Sequence, residues 1–178
     1  MQQMKLAVIG TLCVGLVASC VESAEPVVEE QPTTVAKAHP PSAADEAFAS
    51  AVADAMIDRL VALLFREFAV TTAENAPVGT AAISNIFDNA NKSMRLVGDV
   101  DPLQHSNLPQ DDFERDALAA AKLGNNFSRT ERVRGDWYVR KSLAVSTAFS
   151  TSCVHCHSNF VGLSNPWVGA LMVRARVD

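Results

Sequence analysis

Apolar residues recur four apart through the first third of the chain after residue 42: Phe48, Val52, Met56, Leu60, Leu64 and Phe68, flanked by Ile57, Val61 and Leu63. That spacing predicts one long amphipathic helix running to about Phe68. Ser42 is placed to N-cap it, and Asp45 and Glu46 fall in the first turn, where the helix dipole favours acid. Asn75-Ala76-Pro77-Val78-Gly79 breaks the pattern. A second helix is expected from Thr80 to about Leu96, burying Ile83, Ile86, Phe87, Ala90 and Met94, with Gly98 as its C-cap. After a polar, proline-marked loop from Asp99 to Gln110, Asp111 or Asp112 caps a short third helix. Phe113, Ala117, Leu118 and Ala121 face inward along it, and it ends at Leu123 before Gly124-Asn125-Asn126.

There the period changes from helical to alternating. Phe127, Val133, Trp137, Val139, Leu143 and Val145 fit two strands around the turn Arg134-Gly135-Asp136, and Val168 to Val177 reads as a final strand. The expected class is α+β: a long N-terminal helix and further helices packed on a small antiparallel sheet.

The two ends of the chain differ in composition from this middle. Lys5 followed by the apolar run Leu6 to Val17 reads as an export signal, too short to span a bilayer. It closes on Val17-Ala18-Ser19-Cys20, which resembles a bacterial lipobox, with Cys20 as the acylated new N-terminus. The expected location is therefore periplasmic, on a bacterial membrane by a lipid anchor. Cleavage after Ser23 would instead give a soluble periplasmic protein. Residues 21–41 carry Glu22, Glu25, Glu29, Glu30 and four prolines, and form an acidic tether that cannot build a core. The organisation is then a signal at 1–20, a tether at 21–41 and one domain at 42–178. A net charge of −5 supplies no basic face and argues against nucleic acid as a partner.

The chemistry lies in Cys153-Val154-His155-Cys156-His157, a C-x-x-C-H run. Two thiols three apart can add across the two vinyl groups of one haem, and the histidine after the second thiol then ligates the iron. His155 points elsewhere once both thioethers are made. The chain has four cysteines; Cys13 lies in the signal and Cys20 at its end, so none is left for a disulfide. A thioredoxin-like pair would want to open a helix in a βαβ unit, and structural zinc would want a second close pair of ligands. Export favours haem c, which is attached outside the cytoplasm.

Ala82-Ile83, Asn107-x-Pro109 followed by Phe113-Glu114 and Ala117-Leu118, the aromatic pair Trp137-Tyr138, the C-x-x-C-H run and Gly169-Ala170 recur in one arrangement. On these residues, over most of 45–178, the chain resembles the single-haem c-type family with a PAS-like fold, whose domains also serve as haem sensor modules. The resemblance implies a PAS-like sheet and one covalent haem. In one member a cysteine shortly after the Ala-Ile pair binds iron opposite the histidine; Ile86 stands there in this chain. A proline common before the haem is missing from Arg140-Lys141-Ser142, and Ser158 replaces a frequent glycine. The competing resemblance is to the four-helix cytochrome c-prime bundle, which also carries its motif near the C-terminus with an aromatic three residues past the histidine, as Phe160 is here.

With His157 as fifth ligand, the sixth position is expected to be left open or water-bound; Met94 and His105 are the foremost side chains that could fill it, with Met56 and Met172 behind them. Left open, that position would take NO, CO or oxygen. Phe87, Trp137 and Tyr138 are expected pocket walls, and Arg95, Arg140 and Lys141 are expected partners for the propionates. Two functions follow: a redox or gas sensor signalling to a partner protein, or a tethered carrier passing electrons between periplasmic partners. No distal His/Arg pair at a fixed spacing marks a peroxidase, so an enzyme is not expected.

Overall fold

The computed structural model describes residues 39–88, 93–100 and 107–177. Cys20, the tether as far as residue 38, Ala90 and His105 lie outside them.

Helix α1 (Ala43–Val70) begins where the sequence places it: Ser42 Oγ accepts the N–H of Asp45. Its buried face differs from the expected stripe. At about 100° per residue, each i+4 step overshoots a full turn by about 40°, so a strict four-residue repeat winds round the helix. Relative to Leu60, Phe48 lies about 120° away and Val52 about 80° away, and both are exposed. Ala49 and Ala53 fall within about 20° of it and are buried with Leu60 and Leu64. The small alanines let the first half of the helix lie close on the sheet.

Asn75 ends α1 and begins α2 (Ala76–Asp88) at once. Its Nδ2 donates to Val70 O at 2.8 Å, its Oδ1 accepts from Thr72 N at 2.7 Å, and its carbonyl accepts from Val78 and Gly79 N–H. Pro77 therefore sits in the first turn, where its missing N–H costs nothing, rather than breaking the helix. Gly79 permits the tight corner, since a Cβ there would lie 2.4 Å from Thr71 Oγ1.

The expected helix to Leu96 is corrected. Met94–Val97 is a strand, β1, paired antiparallel with the last strand. Helix α3 (Asp112–Ala121) follows, N-capped by Asp111 through Glu114 N–H. Strands β2 (Phe127–Val133) and β3 (Asp136–Ser146) form the expected hairpin. Cys153–Cys156 make a single helical turn, α4, and β4 (Trp167–Val177) closes the chain.

The four antiparallel strands lie in the order β1-β4-β3-β2, which excludes the four-helix alternative. β4 is central, and covered on both faces. Leu171, Val173, Ala175 and Val177 meet α1, together with Val139 of β3. Ala170 and Met172, one residue out of phase, meet α3 through Phe113, Ala117, Leu118 and Ala121. A strand buried on both sides reads as a continuous apolar run rather than an alternation, and Val168–Val173 is such a run. Among the described residues no helix is long and apolar enough to cross a membrane.

Candidate functional site

The C-x-x-C-H run lies on the α1 side of the sheet, at the end where β3 stops and β4 starts. Three contacts fix the incoming chain. Phe149, in a 3₁₀ turn just after β3, stacks on Phe65 at 4.4 Å and meets Phe68 edge-on at 6.0 Å. Thr147 N–H donates to Pro166 O at 2.8 Å, closing the loop that holds the motif. Ser152 Oγ reaches the frayed end of α1, donating to Phe68 O at 2.8 Å with Thr71 O at 3.3 Å.

Those ties set the motif over a cavity of about 150 Å³. Cys153, Cys156, His157 and Phe160 form one wall, Phe68, Ile83, Val145 and Val168 supply apolar sides, and Thr80, Ser84 and Asn107 add polar points. The helical turn puts both thiols toward this space, half-buried and unbridged. Thr80 Oγ1 donates to Ala76 O at 2.9 Å and lies 3.4 Å from Cys156 Sγ. His157 N–H returns to Cys153 O at 2.9 Å, and its ring stacks parallel on Phe160 at 4.3 Å, which holds the imidazole plane. His155 points out and is exposed.

Burial pushes the Cys153 thiol up from its ordinary value, against the opposing pull of backbone hydrogen bonds. A nucleophilic redox cysteine needs the opposite shift, so Cys153 is poorly poised to attack a disulfide. Among the described residues, no three His, Cys, Asp or Glu side chains converge as metal ligands. The two thiols and His157 line the same cavity.

The residues expected around this motif are dispersed. Trp137 opposes Val177 at the far end of β3, roughly 27 Å along the strand from Val145 at about 3.4 Å per residue. Its indole N–H is buried with no acceptor among the described residues. Tyr138 is on the other face, under Arg174 at 5.3 Å. Phe87 continues the Thr80/Ile83/Ser84 face of α2 one turn further and packs into the α1-side core. Met94 and Met56 pack into the same core, and Met172 is buried beneath α3, across the sheet from the cavity.

The expected propionate partners are engaged elsewhere. Arg95 Nη1 grips both oxygens of Glu114, at 2.7 and 2.6 Å. Arg140 binds Asp111 at 2.8 Å and Glu131 at 2.7 Å, with its guanidinium 4.2 Å above the Phe113 ring. Both networks lie on the α3 side. Lys141 pairs with Asp54 of α1 at 2.6 Å. No cation lines the cavity among the described residues.

Sequence reasoning missed Thr80, Ser84, Asn107, Leu96 and Val145 as wall residues. Their only signal is polarity or apolarity at positions that several kinds of element would tolerate. Phe160, noted in the sequence only as a point of likeness to the four-helix alternative, is also a wall residue.

No protein-family model matches this chain, and no curated protein matches it.

Proposed function

We propose that this chain is an exported, lipid-anchored c-type haem protein that serves as a redox or gas sensor module. Cys153 and Cys156 hold one haem by thioethers, His157 is the proximal ligand, and Cys20 carries the acyl anchor. The carrying observation is that both unbridged thiols and His157 wall one apolar cavity at the end of the sheet.

The donor set suits haem: two half-buried thiols on one helical turn, followed by an imidazole held by stacking. The cavity, at about 150 Å³, falls below the roughly 300–1,000 Å³ of ordinary ligand pockets. Accommodating haem therefore requires this space to widen; on its α2 side Ile83, Ile86 and Phe87 are only half-buried. When bound, haem supplies a redox-active iron with a position for a small ligand. The chain's part is to orient His157 through Phe160, to exclude water with Phe68, Val145 and Val168, and to offer Thr80, Ser84 and Asn107 as hydrogen-bonding groups.

Among the described residues Met56, Met94 and Met172 all lie outside the cavity, which favours sensing over electron carriage; His105 lies outside the described residues. In this reading the module would signal through contact with a partner protein.

The test is the chain expressed with cytochrome c maturation and purified from the export compartment. It should carry haem that survives acid–acetone extraction and gives a thioether-type pyridine haemochrome. Cys153→Ala with Cys156→Ala should abolish that haem, and His157→Ala should change the native spectrum. An extracted haem, or none at all, would refute the proposal. A reduced spectrum shifted by CO supports sensing; sharp low-spin bands indifferent to CO would transfer the function to electron carriage.

A further inference from the structure

At the end of the sheet where β3 stops and β4 starts, the chain carries almost no charge. Residues 142–173 contain no Asp, Glu, Lys or Arg, and residues 68–87 contain only Glu74, although these four residue types make up 20% of the chain. Burial accounts for this in β4, whose first half lies in the core. It does not account for the loop 150–166, where Thr151, Ser158 and Asn165 are exposed.

Apolar side chains stand among these uncharged ones. Val70, Val78, Val154, Val161 and Leu163 are exposed, and all belong to segments that meet at the Cys-His motif. Val70 ends α1, to which Ser152 is tied, and Val78 lies in the first turn of α2, two residues before the Thr80 hydroxyl beside Cys156 Sγ. Val154 is within the motif, and Val161 and Leu163 follow Phe160. None of the five lines the cavity under the motif, so they are not part of the wall that a bound group would meet. Exposed apolar groups on a charge-depleted surface mark a contact site.

We infer that this face binds the same face of a second copy of the chain, in a two-fold dimer. The distribution of charge selects that occupant. The chain has a net charge of −5, so two copies repel on approach, and least where charge is sparse. A nearly uncharged patch complements itself about a two-fold axis, because almost no charged side chain is brought against a like one. A lipid surface is the weaker fit. Faces that enter a bilayer interface carry Lys or Arg beside their apolar residues, and Trp or Tyr at headgroup level. Residues 68–87 and 150–166 hold none of these four. The inference does not depend on what Cys153, Cys156 and His157 hold.

The test uses the full exported chain without an acyl group (Cys20→Ser), haem-loaded if it carries haem, under reducing conditions so that its thiols do not bridge. Sedimentation equilibrium should show monomer–dimer association in the micromolar range. Added salt should leave it unchanged, because few charges take part. Val78→Asp and Val161→Asp alter exposed side chains, and the first falls in a first helical turn, where acid is favoured. Both should therefore melt as the wild type does, yet each should weaken the dimer about 10-fold or more. Phe48→Asp, at an exposed apolar residue near the other end of α1, should leave association unchanged. A monomer up to millimolar concentration would overturn the inference. So would a dimer that salt dissociates, that Val78→Asp and Val161→Asp leave intact, or that Phe48→Asp weakens equally. Binding to phosphatidylcholine vesicles that the same two valine variants abolish would also overturn it, since the face would then meet lipid rather than a second copy.

Discussion

The two faces of the sheet are built from the same strands and have opposite chemistry. Residues of β4 alternate between them: Leu171, Val173 and Ala175 turn to α1, whereas Met172 and Arg174 turn to the α3 side. The α1 face is apolar along β4, carries the Lys141–Asp54 pair on β3, and stops at the Cys-His motif. The α3 face is apolar only under Phe113, Ala117 and Leu118, and beyond them becomes a lattice of arginines and carboxylates. A single-residue shift in register would exchange the two sets, because side chains alternate with a period of two. The sheet thus works as a partition. It separates a largely apolar face that ends at the Cys-His motif from one built of paired arginines and carboxylates.

That partition can be broken on one side at a time. The largest effect is expected from Glu114→Ala. Glu114 is 4 % exposed and meets Arg95 and the Gln110 N–H, with Arg140 at 3.8 Å. Removing it strands buried guanidinium charge, at a cost of about 3–5 kcal/mol. Urea unfolding should register that loss, while any spectrum belonging to the Cys-His side should stay unchanged in the folded fraction. A spectral change of the native state would show that the sheet does not insulate the faces.

Ser152→Ala probes the other side with a smaller effect. It deletes the bond to the end of α1 and should cost about 1 kcal/mol in the same unfolding measurement. The yield of covalently attached haem should fall. Equal haem yield would mean that the tie to Phe68 O does not position the motif.

Acid should distinguish the faces most gently. Burial alone would raise the Asp111 carboxyl. Hydrogen bonds from Arg140 and the Glu114 N–H, with the charges of Arg140 and Arg95, outweigh it and hold the carboxyl below its ordinary 3.8. A depressed folded value means a stabilising contribution fully present above 3.8, lost as pH falls through the folded value. Asp111→Asn should therefore be less stable than wild type at neutral pH, with the difference narrowing on acidification below that point. A gap constant down to the lowest pH at which the protein folds would mean that the carboxylate charge contributes nothing.

Much of this arrangement was legible in the order of residues. Ser42, Asp111 and the Arg134-Gly135 turn act within three or four residues of themselves, so capping and turn chemistry located α1, α3 and the hairpin. The C-x-x-C-H run is equally local, since its thiols and histidine are spaced by the backbone. Met94–Val97 was misread because a four-residue strand after a helix presents too few positions to reveal a period of two. Its identity comes from pairing with Ala170–Val173, more than seventy residues on. Arg95 and Arg140 were placed beside the motif for a similar reason. A cation's sign can be read from sequence, but not the face from which its carboxylate approaches.

By itself, then, the sequence determined the N-terminal caps of α1 and α3, the hairpin, the apolar run of the last strand and the donor set of the Cys-His motif, because each depends on interactions among near neighbours. Gly98, expected to cap α2, follows β1 instead. Only the tertiary structure decided which wall residues meet that motif, that Ser152 ties it to α1, and that the arginines gather across the sheet. Those contacts join residues tens of positions apart, and they exist only once β4 has been inserted between β1 and β3.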